Sequence, residues 1–145
     1  IPKTLIRALH NLSIPLYGTG TQMRDWIYVI DHCEALRKIM EAGRPGEIYN
    51  ISTGNEISNL EVVESILDIM NKPKDLISFV EDRPGHDRRY SLNSQKIRSE
   101  IGWTPRYPFR EALQNTIKWY LENRSWWRRQ ATKKILDPTP WKRKW

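Results

Sequence analysis

Short β-rich runs alternate with amphipathic helical segments along this chain, and that alternation restricts the folds open to it more than any other feature. Leu5, Ile6, Leu9 and Leu12 space like one face of a helix, and Ile14-Pro15-Leu16-Tyr17 then reads as a short edge strand. Residues 26–30 (Trp-Ile-Tyr-Val-Ile) predict a second strand. Asp31 with Glu34 three positions on is a capping-box spacing that opens a helix carrying Leu36, Ile39 and Met40. Residues 47–51 predict another strand, and Ser58 with Glu61 a second capping box, before a helix whose apolar face is Leu60, Val63, Ile66, Leu67 and Met70. Ile77-Ser78-Phe79-Val80 is a further short strand leading into the turn 82–86. Residues 94–101 predict a short helix closed by Gly102, and Phe109, Leu113, Ile117, Tyr120 and Leu121 a longer one. The fold class is α/β, which favours a parallel or mixed sheet.

At 145 residues the chain has one domain's worth of material. Its longest unbroken apolar run, 26–30, falls far short of the roughly 20 residues that span a bilayer. The first residues lack the charged-then-apolar plan of a signal peptide. The single cysteine, Cys33, excludes an intramolecular disulfide, so a cytoplasmic location is expected. The net charge of +7 suggests nucleic acid until its position is considered: residues 126–145 hold seven Lys/Arg against Asp137 alone. The rest is close to neutral, and its basicity carries no functional argument. Ile1 is not a start methionine, so the chain is expected to be processed or a piece of something longer.

The densest chemistry lies in Asp82-Arg83-Pro84-Gly85-His86-Asp87-Arg88-Arg89-Tyr90, where three arginines, a histidine and a tyrosine surround a Pro-Gly turn. Guanidinium groups donate paired hydrogen bonds that match phosphate oxygens, and a planar aromatic beside them suits a base or sugar. The stretch reads as a phosphate clamp or, alternatively, as a solvated loop with local Asp–Arg pairs. Arg24 lies just before the apolar run at 26–30, where it could enter a crevice at the sheet edge or pair with Asp25. Gly18-Thr19-Gly20 lacks the third glycine and the helix start of a dinucleotide fingerprint, and reads as a turn. His10, His32, Cys33 and His86 offer no metal-ligand spacing. Asn59 sits at a helix N-terminus, which suits either an anion or plain capping. No nucleophile elbow, zinc-protease motif or Walker loop is present.

Taken together, these segments resemble the dTDP-glucose 4,6-dehydratases, nucleotide-sugar enzymes of the extended short-chain dehydrogenase/reductase superfamily. Pro15-Leu16-Tyr17-Gly18, Arg24-Asp25-Trp26-Ile27-Tyr28-Val29 with Asp31-His32, Tyr49-Asn50-Ile51, Asn59 to Val63, the 82–90 stretch, Gly102-Trp103 and Trp126-Trp127 occur in that family's order. Arg-Asp-Trp is shared with relatives, and the 82–90 stretch is more specific. The resemblance implies the C-terminal, substrate-binding part of a Rossmann-type fold over residues 1–128, with the N-terminal NAD-binding domain absent and 129–145 a flexible basic tail. In the family, NAD takes hydride from C4 of the glucosyl ring, water is lost across C5 and C6, and hydride returns to C6. The family's Tyr-x-x-x-Lys pair is missing, because no tyrosine here has lysine four positions later. The resemblance thus implies NAD in the full-length enzyme but no catalytic, NAD or metal residue in this chain, which alone is expected to be inactive.

Substrate binding is what carries over. Arg24 and Arg83 match arginines that hold the diphosphate, and Asn59 an amide contact. Ile1, Pro2, Pro15, Tyr17 and the turn Asp82, Arg83, Pro84, Gly85, His86 match positions lining the nucleotide pocket. The implied ligand is dTDP-glucose or another nucleotide sugar, with a homodimer expected for the full-length enzyme and no membrane partner. Ser52-Thr53 departs from a glycine-rich pair expected there, and the tail after Arg128 has no family counterpart. Two other readings stand beside this one: a related UDP-, GDP- or CDP-sugar epimerase, decarboxylase or dehydratase, and a nucleic-acid-binding module using the tail.

Overall fold

Two small sheets, six α-helices and a short 3-10 helix at Lys74–Leu76 make up the computed structural model, which describes residues 1–131. The basic tail lies outside the described residues except for 129–131. Strand β1 (Ile14–Tyr17) runs parallel to β4 (Ile77–Val80), with Tyr17 opposite Val80. Strand β2 (Met23–Asp25) pairs antiparallel with β3 (Glu56–Ser58), and Met23 also bridges to Arg89. The helices are α1 (Pro2–Leu9), α2 (Val29–Ala42), α3 (Asn59–Ile69), α4 (Gln95–Ile101), α5 (Phe109–Glu122) and α6 (Arg124–Arg128).

Helix α3 organises the packing. Its capping box is formed: Ser58 Oγ accepts from the Glu61 amide at 3.2 Å, and Glu61 Oε2 accepts from the Ser58 amide at 2.9 Å. One side of α3, through Val62 and Ile66, joins Leu5 of α1 and Leu113 and Ile117 of α5. The adjacent side, through Val63 and Leu67, covers Ala8, Ile14 and Leu16. A third cluster of Ala35, Ile97 and Trp103 ties α2 to α4. Gly102, left-handed at φ 68°, closes α4.

Two expected strands are absent from the described residues. The run 26–30 is not extended throughout: the strand lies earlier, at Met23–Asp25, and α2 begins at Val29 with Tyr28 as its N-cap. A short apolar run does not by itself distinguish a strand from a helix start, and here Val29 and Ile30 fall on the helix side. Asp31 is accordingly not a cap. Its buried carboxylate accepts from the backbone amides of Arg106 at 3.0 Å and Tyr107 at 3.2 Å, docking the segment before α5. Residues 47–51 form no ladder either, because no described strand lies beside them. Ile48 is 81% exposed there, and Val29, Leu36 and Met40 lie exposed along one stripe of α2. No helix among the described residues is long and apolar enough to cross a membrane.

Candidate nucleotide-binding face

The C-terminal end of β1 delivers Tyr17 into the turn Gly18-Thr19-Gly20. Gly18 has φ 56°, and a Cβ there would stand 2.8 Å from Asp82 Oδ2, so only glycine lets the turn close on the carboxylate. Asp82 then gathers the next loop. His86 Nδ1 lies 2.6 Å from Oδ1, the Arg83 amide donates to Oδ1 at 2.9 Å, and Gln22 Nε2 donates to Oδ2 at 3.1 Å. The His86 ring is enclosed, 7% exposed, and meets Tyr17 edge to face. The expected positions Tyr17, Asp82 and His86 are therefore in one place.

These hydrogen bonds, the His86 contact foremost, hold the Asp82 carboxyl below its ordinary value of 3.8. A depressed carboxyl contributes stability that is present above its unfolded pKa and lost as pH falls through its folded value. The 82–86 turn is expected to keep its geometry down to about pH 4 and to loosen only below it. The amide shift of Arg83, followed by NMR during an acid titration, reports this; a midpoint at or above 3.8 contradicts it.

Arg24 extends from β2 across the far end of the same loop. Its guanidinium donates to the Asp87 carbonyl at 2.9 Å and the Met23 carbonyl at 2.6 Å, and its Cζ stands 4.3 Å from the centre of the Tyr90 ring. Tyr90 donates in turn to the Asp87 carboxylate, lowering that carboxyl's pKa and raising the phenol's. Arg24 is not paired with Asp25, whose carboxylate takes Thr53 N, Thr53 Oγ1 and Gly54 N at 2.7–2.9 Å. Of the variant Ser52-Thr53 pair, Thr53 is thus tied into the fold by Asp25, while Ser52 Oγ donates to the Leu92 carbonyl at 2.9 Å.

The three arginines of the loop divide. Arg89 makes a two-pronged pair with Glu56, at 2.5 and 2.6 Å, and is spent on structure. The guanidinium groups of Arg83 and Arg88 have no hydrogen-bond partner among the described residues. Pro84 and Gly85 form an exposed turn, Gly85 at φ 64°.

Asn59 sits where expected, but the first turn of α3 is not an open anion site. Asn59 N donates to Gln22 O at 3.1 Å, Leu60 N to Gly20 O at 2.9 Å, and Glu61 N to Ser58 Oγ. The Glu61 carboxylate also occupies that end. Capping prevails for the backbone, leaving only the Asn59 side chain for a ligand. Pro15 stands within β1 opposite Ser78. Ile1 and Pro2 line a different feature, an apolar cleft of about 230 Å³ with Trp26, Tyr28, Phe109 and Tyr120.

Sequence reasoning missed Gln22, Glu56 and the backbone role of Asp87. Their partners lie 33 to 63 positions away, and no local spacing announces them. No group of three or more His, Cys, Asp or Glu among the described residues could hold a metal ion.

Comparison with known proteins decides the family. The sequence model of the GDP-mannose 4,6 dehydratase family matches residues 1–116. The chain belongs to that family. Within it, the chain is 48% identical over 127 residues to a dTDP-glucose 4,6-dehydratase of Actinoplanes sp., covering 88% of this chain and 40% of that enzyme. The structure of the dTDP-glucose 4,6-dehydratase of Bacillus anthracis in complex with NAD superposes with a TM-score of 0.84 at 44% identity, over 88% of this chain and 40% of that one. DesIV of Streptomyces venezuelae, a dTDP-glucose 4,6-dehydratase solved with NAD and TYD bound, gives a TM-score of 0.84 at 40% identity, over 88% and 39%. The fold is thus a part of the extended short-chain dehydrogenase/reductase, Rossmann-type architecture, and the chain spans about 40% of the length of these relatives.

The Gly18-Thr19-Gly20 turn of this family member does not have the form of a dinucleotide pyrophosphate loop. The turn from Gly18 to Gly20 leads into β2, not into a helix N-terminus. A Cβ on Gly20 would stand 2.5 Å from Leu16 Cδ2 and 3.1 Å from Leu60 Cβ, so this glycine serves packing and not the approach of a pyrophosphate.

Proposed function

We propose that this chain is the substrate-binding part of a dTDP-glucose 4,6-dehydratase, which converts dTDP-glucose to dTDP-4-keto-6-deoxyglucose. The observation that carries this reading is the pair of cations flanking one folded loop. Arg24 is braced by two carbonyls and the Tyr90 face, and Arg83 stands exposed beside the Asp82 turn. A guanidinium braced in this way keeps further N–H donors for a diphosphate. Tyr17, against His86, supplies an aromatic surface for the base.

In this reading NAD and the Tyr/Lys pair are supplied by polypeptide outside these 145 residues, and the chain alone is inactive. The exposed stripe of Val29, Leu36 and Met40, with Ile48 nearby in sequence to the end of α2, supports such an apposed domain. A homodimeric full-length enzyme and a cytoplasmic setting belong to the same reading, the latter because Cys33 is the sole cysteine.

Calorimetric titration with dTDP-glucose, with UDP-glucose as competitor, tests it. The expected result is saturable binding of dTDP-glucose at least roughly tenfold tighter than of UDP-glucose, since a thymine methyl seated in a pocket is worth about 1–3 kcal/mol. Equal affinity for the two would shift the assignment to a related nucleotide-sugar enzyme. No binding by the folded chain would remove it.

A further inference from the structure

We propose that Gln22 is the positioning residue of the nucleotide-binding face, joining β1, β2, α3 and the 82–86 turn through one buried amide and its own carbonyl. The inference rests on the nucleotide-diphosphate reading above. Gln22 is 6% exposed. Its Nε2 donates to Asp82 Oδ2 at 3.1 Å and to the Tyr17 carbonyl at 3.4 Å, while its backbone carbonyl accepts from Asn59 N at 3.1 Å. It therefore touches three of the positions assigned to the ligand, from three separate segments, and stands two residues before a fourth, Arg24. Through Asp82 it reaches His86 and the Arg83 amide.

The energetics favour positioning over a merely structural role. Gln22 Oε1 is buried with no hydrogen-bond partner among the described residues. An unsatisfied buried acceptor costs stability, which an apolar residue of the same length would not. Nor would the partners of Nε2 be stranded by its loss. The Tyr17 carbonyl also accepts from the Gly20 amide at 3.0 Å, and the Asp82 side chain is 40% exposed, open to water. What the Gln22 amide does contribute is the placement of Asp82, through the 3.1 Å bond from Nε2 to Oδ2.

The test is Gln22→Met in the 145-residue chain, with three readouts: thermal midpoint, hydrogen exchange and calorimetric titration with dTDP. The thermal midpoint should be unchanged or raised. Amides of 82–88 should exchange faster while α1, α3 and α5 stay protected. Affinity for dTDP should fall roughly tenfold, the loss expected when a hydrogen bond to a charged group no longer places its partner. A second variant pair separates placement from packing. Gln22→Glu sets a carboxylate against Asp82 and should weaken dTDP binding, and adding Asp82→Asn, which restores a donor–acceptor pair of reversed polarity, should recover part of it.

Unchanged affinity and unchanged exchange in Gln22→Met would overturn the inference while leaving the nucleotide reading intact. A lowered midpoint with faster exchange throughout the helices would make Gln22 a packing residue and overturn it equally. Should the wild-type chain bind no dTDP, the nucleotide reading falls, and exchange in 82–88 then decides alone whether Gln22 holds the turn.

Discussion

Arg24→Ala is expected to weaken dTDP binding by about 1.5–3 kcal/mol, roughly ten- to a hundredfold in affinity. The guanidinium is preorganised: two carbonyls and the Tyr90 ring fix it before any ligand arrives, so few rotamers remain to be frozen on binding. Truncation removes the donors and releases Asp87 and Tyr90 together. Arg83→Ala should act in the same direction and by a similar amount if it holds the diphosphate. Its side chain is unbraced, so part of its contribution is consumed in ordering it. Arg89→Ala serves as the internal control, because Glu56 already engages that guanidinium and its loss should alter loop stability before ligand contacts. Calorimetric titration of the three variants checks this, and unchanged affinity for both Arg24→Ala and Arg83→Ala would remove the diphosphate assignment.

Trp103→Ala is expected to destabilise the chain by about 3–5 kcal/mol, the largest stability loss of any substitution considered. The indole is 1% exposed and fills the centre of the cluster with Ala35 and Ile97, with Ile27, Ile39, Tyr49, Ile51 and Ile101 packed around it. Truncation to alanine removes the whole indole from this cluster and leaves a cavity that its neighbours fill only in part. Its Nε1 has no partner among the described residues, so the loss is one of packing and carries no hydrogen-bond penalty. Trp103→Phe should therefore recover most of the loss. Urea unfolding followed by circular dichroism measures both, and a loss below about 1 kcal/mol for the alanine variant would show that this cluster does not support the fold.

The parts of the fold that rest on local patterning were legible in the residues. The Ser58–Glu61 capping box, the Gly102 stop and the apolar spacing of α3 and α5 are short-range effects, and each is present. Misreadings arose where a partner decides the structure. Asp31 has the spacing of a capping residue but is used by amides 75 and 76 positions away. Residues 47–51 have the composition of a strand but no strand beside them among the described residues. In the same way Arg24, Arg83 and the 82–90 stretch are conspicuous by residue type, whereas Gln22 and Glu56 become visible only when the chain brings them to that loop. Residue type announces what a loop can bind, and long-range hydrogen bonds decide which of its charges are left to bind it.

The loop that carries these charges is pinned at both shoulders. On one side Val80 accepts from the Gly18 amide, and Asp82 anchors the turn. On the other, Met23 exchanges backbone bonds with Arg88 and Tyr90 at 2.9 and 3.2 Å, and Arg89 is locked to Glu56. Only the short arc between them has room to move. A ligand arriving there has little chain to organise, so differences in affinity among nucleotides should be expressed as residence time, with rates of capture that are nearly alike.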